Sequence, residues 1–329
     1  MGKYRKDSLL GFLILLIFDL ATFNSSVAQL TFDFYAASCP SAEFIIRNTV
    51  QSASLNDPSI PGKLLRLVFH DCFVEGCDAS ILLKGNGTEG SDPANLSLGG
   101  FSVIDSVKRV LEIFCPGIVS CADIIAIAAR DAVEMTGGPQ VRIATGRRDG
   151  RFSAASNVRS NMADTTFSID AMTKLFSSKG LSVNDLVTLS GAHTIGTAHC
   201  STVRDRFKED SRGRLTGIDP SLDKLYGEEL MRECLAGGDL SSALVSNDPQ
   251  TSLSFDNQYY KNLVVHKGLF QSDSALVEDE RTKNMVEDFA TSQERFFSSW
   301  VESFRKLTSI KVKTGDAGEV RRSCSSFNR

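Results

Sequence analysis

The chain has no block of basic residues, no internal repeat and no low-complexity tract. Beyond its first twenty residues it also lacks any long apolar stretch. Its formal net charge is −4 over 329 residues. A mildly acidic chain without a basic cluster has none of the electrostatic footprint of a nucleic-acid-binding protein, so no nucleic-acid partner is expected. No second apolar stretch is present that could form a transmembrane helix. Alternating apolar and polar residues are scarce, which restricts any sheet to a minor role and predicts a mostly helical fold. Histidine is scarce too, with four in the whole chain.

The one long apolar run sits at the start. Lys3, Arg5 and Lys6 precede it, residues 9–20 form it, and Asp19 interrupts it. Ser26 and Ala28 supply small residues at the −3 and −1 positions of a cleavage site. The run is too short for a comfortable membrane span, so residues 1–28 read as a signal peptide and the folded protein as 29–329. Such a length can bury a large core, in one big domain or two lobes sharing a centre. Eight cysteines in an exported chain imply a disulfide framework, with 105 possible connectivities. A zinc site would need a second close cysteine pair or a His-x-His partner, and neither is present.

Helical patterning appears in several places. Residues 64–72 read as a helix preceded by Pro61 and Gly62. Ser120 to Asp123 has the form of a capping box, opening an apolar run over 124–133 that stops at Gly137, Gly138 and Pro139. Ser182 and Asp185 open a shorter helix leading to Gly191 and His193, and residues 281–289 and 294–307 carry helical spacing. On the first of these helices Arg66 and His70 stand i,i+4, one turn apart on one face. A fixed cation beside an imidazole, with a second imidazole far off in sequence, suits a haem enzyme that splits peroxide. One histidine can hold iron while the other moves protons.

Five motifs carry a resemblance: RLVFHDCFVEGCDASIL (66–82), VSCAD (119–123), GRRD (146–149), LSGAHTIGTAHC (189–200) and FDNQYY (255–260). In order and spacing they resemble the class III secretory plant peroxidases, and the match runs from residue 29 to the C-terminus. The resemblance implies an all-α, two-lobed haem peroxidase domain over 29–329, with minor β structure. Haem b would lie between the lobes, accompanied by two Ca²⁺ ions.

It also implies roles. Arg66 and His70 match the catalytic pair: neutral His70 moves the peroxide proton from the inner to the outer oxygen, and Arg66 stabilises the charge that builds as the O–O bond breaks. Asn95 matches the asparagine that holds the other ring nitrogen of His70, although Asn95-Leu96-Ser97 is also a glycosylation sequon. Asn86-Gly87-Thr88 is the better glycan acceptor. His193 matches the axial iron ligand and Asp273 its carboxylate partner. Asp71, Val74, Gly76, Asp78 and Ser80 match one calcium site, and Thr194, Asp248, Thr251, Ser254 and Asp256 the other. The implied disulfides are Cys39–Cys115, Cys72–Cys77, Cys121–Cys324 and Cys200–Cys234. Asp123 and Arg147 match a buried structural ion pair, while His199 and His266 match nothing and are expected at the surface.

The chain departs from the family pattern at the haem-edge substrate site, where Ala163 stands in place of a common proline. The loop over 89–101 is one residue shorter, and Gly99 replaces a common arginine. The expected activity is reduction of hydrogen peroxide to water with two one-electron oxidations of small phenolic donors, by a secreted monomer of the cell wall or apoplast with no membrane partner. The alternative is a cell-wall binding or structural protein that kept the fold and lost turnover. The presence of Arg66, His70, Asn95, His193 and Asp273 together argues against it. A hydrolase using His70 and Asp71 would need a nucleophile elbow, which is missing.

Overall fold

A computed structural model describes residues 29–211, 215–236 and 239–328. The expected signal peptide lies outside the described residues. Helices dominate: α1 Ala42–Asn56, α2 Ile60–Val74, α3 Phe101–Phe114, α4 Cys121–Met135, α5 Ile169–Ser178, α6 Val183–Ser190, α7 Lys224–Ala236, α8 Gln258–Val264, α9 Gln271–Glu278, α10 Glu280–Thr291 and α11 Gln293–Leu307. Four short strands make two antiparallel pairs, β1 (Thr197–His199) with β4 (Leu244–Ser246) and β2 (Phe207–Glu209) with β3 (Leu215–Ile218). The all-α class with minor β structure is the one expected.

Helix packing falls into two groups. In the first, α2 and α4 pack face to face, with α1 and α3 against them. In the second, α6 packs on α10 and α11, and α8 and α9 pack on α10. The core runs through both groups, and in the second it includes a nest of rings in which Trp300 lies 4.7 Å from Phe255 and stacks on Phe304 at 5.7 Å.

Local sequence explains the helix ends. Pro61 lies in the first turn of α2, where its missing N–H is no loss, so this helix begins four residues earlier than the apolar run alone predicts. The capping box at Ser182 and Asp185 forms with both bonds. At α4 only half of one forms. Ser120 Oγ accepts from the Asp123 amide at 3.1 Å, but the Asp123 carboxylate is drawn elsewhere. It takes Arg147 Nη1 at 2.7 Å, the Tyr35 hydroxyl at 2.6 Å and the Gly146 amide at 2.7 Å. Arg147 in turn donates to the Thr308 carbonyl at the end of α11. A buried pair of this kind costs about 3–5 kcal/mol to break from one side, because the surviving charge is left without a partner.

All four disulfides join the implied partners. Cys121–Cys324 closes a separation of 203 residues and ties the C-terminal segment to the start of α4. Each bridge contributes ~2–4 kcal/mol by restricting the unfolded chain.

Candidate active site

The segments bearing the two histidines meet at a pair of glycines. A side chain on Gly62, in the first turn of α2, would put its Cβ 2.7 Å from the Cα of Gly196, three residues past His193. Only glycines allow that approach. Arg66 and His70 then follow along α2, about 6 Å and 12 Å further up the axis at 1.5 Å per residue.

His70 is buried, with its Nδ1 2.7 Å from Asn95 Oδ1. Asn95 Nδ2 donates to the Glu89 carbonyl at 2.8 Å. This second bond fixes which end of the amide faces the imidazole. Oδ1 must accept, so Nδ1 of His70 carries the proton and Nε2 is left as a base. Asn95 is 3% exposed and bonded at both ends, so it has no room for a glycan. Asn86 is exposed.

Arg66 is reachable by solvent yet closely surrounded by protein, as a residue lining a cleft is. Its guanidinium donates to Ser97 Oγ at 3.0 Å and to the carbonyls of Ser97 and Ala94 at 3.3 and 3.2 Å. Desolvation lowers its pKa, but a guanidinium remains charged in any working range. Burial, and then the Arg66 charge, push His70 down to about 3, against a small opposing effect of Asn95. Between pH 3 and 6.5 the unfolded chain therefore binds a proton at this residue that the folded chain does not. Its contribution to stability is complete above 6.5 and is lost as pH falls toward 3. The corresponding kinetic expectation is a peroxide-step rate that is flat from about pH 4 to 8 and falls only near pH 3. Stopped-flow rates across that range check it, and an inflection between pH 5 and 7 would contradict a neutral His70.

The second histidine, His193, sits in the single turn Gly191–Thr194 that follows α6. Its Nδ1 lies 2.9 Å from Asp273 Oδ1. Asp273 is the third residue of α9, and its Oδ2 accepts from the Phe270 amide at 2.9 Å. Burial pushes the Asp273 carboxyl up, but His193, the Phe270 amide and the Tyr259 hydroxyl together outweigh it and hold the group below the ordinary carboxylate range. The His193 ring packs edge-on against Phe270 at 5.2 Å and Tyr259 at 5.8 Å. Its side chain is 37% exposed beside an Asp273 that is 3% exposed. With Nδ1 committed and the ring accessible, Nε2 is free to ligate a metal. An accessible imidazole with a buried carboxylate partner, together with a neutral imidazole and a tethered cation elsewhere in the chain, fits what a haem site would use.

The two oxygen-rich clusters also form. In the first, Asp71 and Asp78 are each 1% exposed and Ser80 is fully buried. Asp71 Oδ2 accepts from the Ala79 amide at 3.0 Å, while Asp71 Oδ1 and Ser80 Oγ are buried with no hydrogen-bond partner. Burial and the neighbouring Asp78 charge push Asp71 well up. Val74 and Gly76 lie in the same turn, closed by Cys72–Cys77. In the second, Thr194 Oγ1 lies 3.2 Å from Asp256 Oδ1 and 3.5 Å from the Ser254 carbonyl. Thr251 Oγ1 lies 3.1 Å from Asp248 Oδ2 and 3.2 Å from Asp256 Oδ1. No three Asp, Glu, His or Cys side chains among the described residues form a metal cage. Two carboxylates with hydroxyls and carbonyls suit a hard cation that prefers oxygen, and the orphaned Asp71 and Ser80 atoms fit one.

Ala163 lies half-buried in the loop between α4 and α5. The loop is held by hydrogen bonds instead of a proline ring: Lys179 Nζ donates to Asn161 Oδ1, Asn161 Nδ2 to the Asn157 carbonyl at 2.8 Å, and Asn157 Nδ2 to Glu75 Oε1 at 2.6 Å. His266 is exposed as expected. His199 is not a plain surface residue, being half-buried with a shielded Nδ1. Two residues had no assigned role in the sequence. Tyr259 donates to Asp273 Oδ1 at 2.8 Å, the oxygen that His193 also uses; its place in FDNQYY was the available signal. Lys313 forms an ion pair with Asp78, and nothing local marks it.

Comparison with known proteins agrees with this geometry. A family model described as Peroxidase matches residues 46–292. The chain is 63% identical over 309 residues to Peroxidase 18 of Arabidopsis thaliana, covering 94% of each chain. It is 60% identical over 316 residues to Peroxidase 46 of the same plant, covering 96% of this chain and 97% of that one. Identity to Peroxidase 3 is 47% over 307 residues, 92% of this chain and 93% of that one.

Proposed function

The chain belongs to the peroxidase family and is an enzyme of that kind, and from that premise we propose that it is a secreted, monomeric class III enzyme oxidising small phenols at the expense of hydrogen peroxide. Family membership implies haem, hydrogen peroxide and an electron donor. The observation that carries the catalytic reading is the Asn95-bonded, neutral His70 one turn from Arg66.

When bound through His193, haem supplies the iron that takes up peroxide and the redox equivalents used on the donor. The protein's own part is proton movement and charge placement. His70 Nε2 accepts the proton of the incoming peroxide, since Nδ1 is committed to Asn95. The same nitrogen then returns that proton to the departing oxygen, so one imidazole is base and then acid. Arg66, tethered to residues 94–97, keeps positive charge beside the bond that breaks. Asp273 holds the Nδ1 proton of His193 and raises the basicity of the ring. Tyr259 tempers that effect by donating to the same carboxylate oxygen.

Asp71, Val74, Gly76, Asp78 and Ser80 would hold one calcium ion, and Thr194, Asp248, Thr251, Ser254 and Asp256 a second. Asp71 follows His70 directly and Thr194 follows His193, so each ion would brace the backbone of one working histidine. The sequence of residues 1–28 supports export to the apoplast or cell wall. Among the described residues no helix is long and apolar enough to cross a membrane. Asn86 is the proposed glycan site.

The purified protein tests this reading: it should show a haem absorption band and oxidise guaiacol only when peroxide is present. A protein with no haem band, or one that fails to turn over with haem bound, overturns it. Donor preference is tested at Ala163. Among the described residues no backbone carbonyl accepts from the amide of Ala163, so Ala163→Pro loses no such bond. A stiffer loop costs less entropy to order when a donor binds, so KM for small phenols should fall by roughly two- to tenfold. The peroxide step should not change. Steady-state kinetics with guaiacol and bulkier phenols decide, and constants unchanged for every donor would place donor choice elsewhere.

A further inference from the structure

Asp78 of the first calcium cluster already has a cation of the chain's own. Lys313 Nζ reaches Asp78 Oδ2 from 235 residues away in sequence. Its backbone is pinned there, because its carbonyl accepts from the Arg148 amide at 2.8 Å. The neighbouring Ile310 carbonyl accepts from the Cys77 amide at 3.0 Å, so the strand of chain over 310–313 runs along the calcium turn itself.

Asp78 has little freedom to avoid this lysine. Its Oδ1 accepts from the Ser80 amide at 3.0 Å, and a Cβ on Gly150 would fall 2.2 Å from Oδ2. Lys313, by contrast, has solvent beside it, with a side chain 33% exposed against 1% for Asp78. A second cation near the cluster is Arg321. It is fully buried and its guanidinium is occupied by the carbonyls of Ala79, Cys324 and Gly150 at 2.8–2.9 Å, so it cannot withdraw, while its charge favours ionised Asp71.

We infer that Lys313 is a built-in competitor for the first calcium site, sharing Asp78 with the ion and standing in for it when the ion leaves. The inference rests on the calcium reading above. The ion would share Asp78 Oδ2 with the ammonium, in a cluster where the buried Glu89 carboxylate adds to Asp71 and Asp78. Two cations on one oxygen repel, so either calcium is held less tightly or the lysine withdraws to solvent as calcium enters. The ammonium cannot replace the ion fully, because Asp71 Oδ1 and Ser80 Oγ have no partner with Lys313 in place. Its effect is to lower calcium affinity and to protect the turn beside His70 when calcium is scarce. The enzyme should therefore tolerate calcium loss better than it would with a neutral residue at 313.

The test compares the holoenzyme with Lys313→Met, Lys313→Gln and Lys313→Arg, reading calcium content by metal analysis, calcium release to a chelator, and Tm with calcium or chelator. Both neutral variants should hold one of the two ions at least tenfold more tightly. Their Tm should also fall further on chelation than that of the parent. Lys313→Arg should behave as the parent does, because it keeps the charge. Equal calcium affinity and an equal Tm change in the parent and both neutral variants would overturn the role of Lys313 while leaving the calcium site standing. Absence of calcium from all four proteins would overturn the calcium reading and this inference with it. Two neutral variants, one apolar and one polar, separate charge from packing should either fold poorly.

Discussion

Exchanging His70 for leucine is expected to slow the peroxide-consuming step by at least about 10²–10⁴-fold, the usual worth of a positioned acid–base group. Leucine has a similar bulk and leaves α2 intact, so the loss reports chemistry and not folding. It removes the imidazole beside Arg66, and it orphans Asn95 Oδ1, for which His70 is the one partner among the described residues. Donor oxidation after the peroxide step should be largely unaffected. Arg66→Leu should slow the same step less, since it withdraws charge stabilisation and leaves the proton path in place. Stopped-flow measurement with peroxide in excess separates the two variants. Parental peroxide reactivity in His70→Leu would remove the base from the mechanism.

His193→Ala is expected to abolish stable haem binding, and with it nearly all activity. The other histidines cannot substitute: His70 is buried against Asn95, His199 is in β1 with its Nδ1 shielded, and His266 is exposed beyond α8. The substitution also removes a partner of Asp273, a buried carboxylate that among the described residues keeps the Tyr259 hydroxyl and the Phe270 amide as hydrogen-bond donors. The lowered pKa of Asp273 represents stability present above the ordinary carboxylate range and lost as pH falls through the folded value. Losing His193 reduces that contribution, so the variant should also melt lower at neutral pH. Haem content by absorption and Tm by calorimetry check both parts. A variant with an unchanged Soret band and full turnover would refute the axial assignment.

Much of the fold was legible in the sequence, and for local reasons. The apolar spacing over 64–72 and 124–133 marks α2 and α4, because a helical period of 3.6 sorts residues onto faces without help from distant chain. Ser182 and Asp185 specify the start of α6 because both halves of their capping box lie within one turn. The same pattern at Ser120 and Asp123 was only half realised. A guanidinium 24 residues away offers the Asp123 carboxylate more than the local amide does, and a local pattern cannot register that rival.

The sequence by itself determined that the chain is mostly helical, that Arg66 and His70 share a helix face, and, through five motifs, which family it belongs to. The partners across distance were decided only by tertiary structure. Asp273 reads as an ordinary loop aspartate until α9 packs beside the turn at 191–194 and buries it under His193. Tyr259 is one of two tyrosines in a motif until that packing directs its hydroxyl to the same oxygen. Lys313 is a charge near the C-terminus until Cys121–Cys324 and the bridge to Arg148 draw its segment along the turn at 72–80. Periodicity, caps and turn residues act within about one turn of the chain. Desolvation and charge pairing act between whatever surfaces the packed helices bring together, and only the folded chain decides which those are.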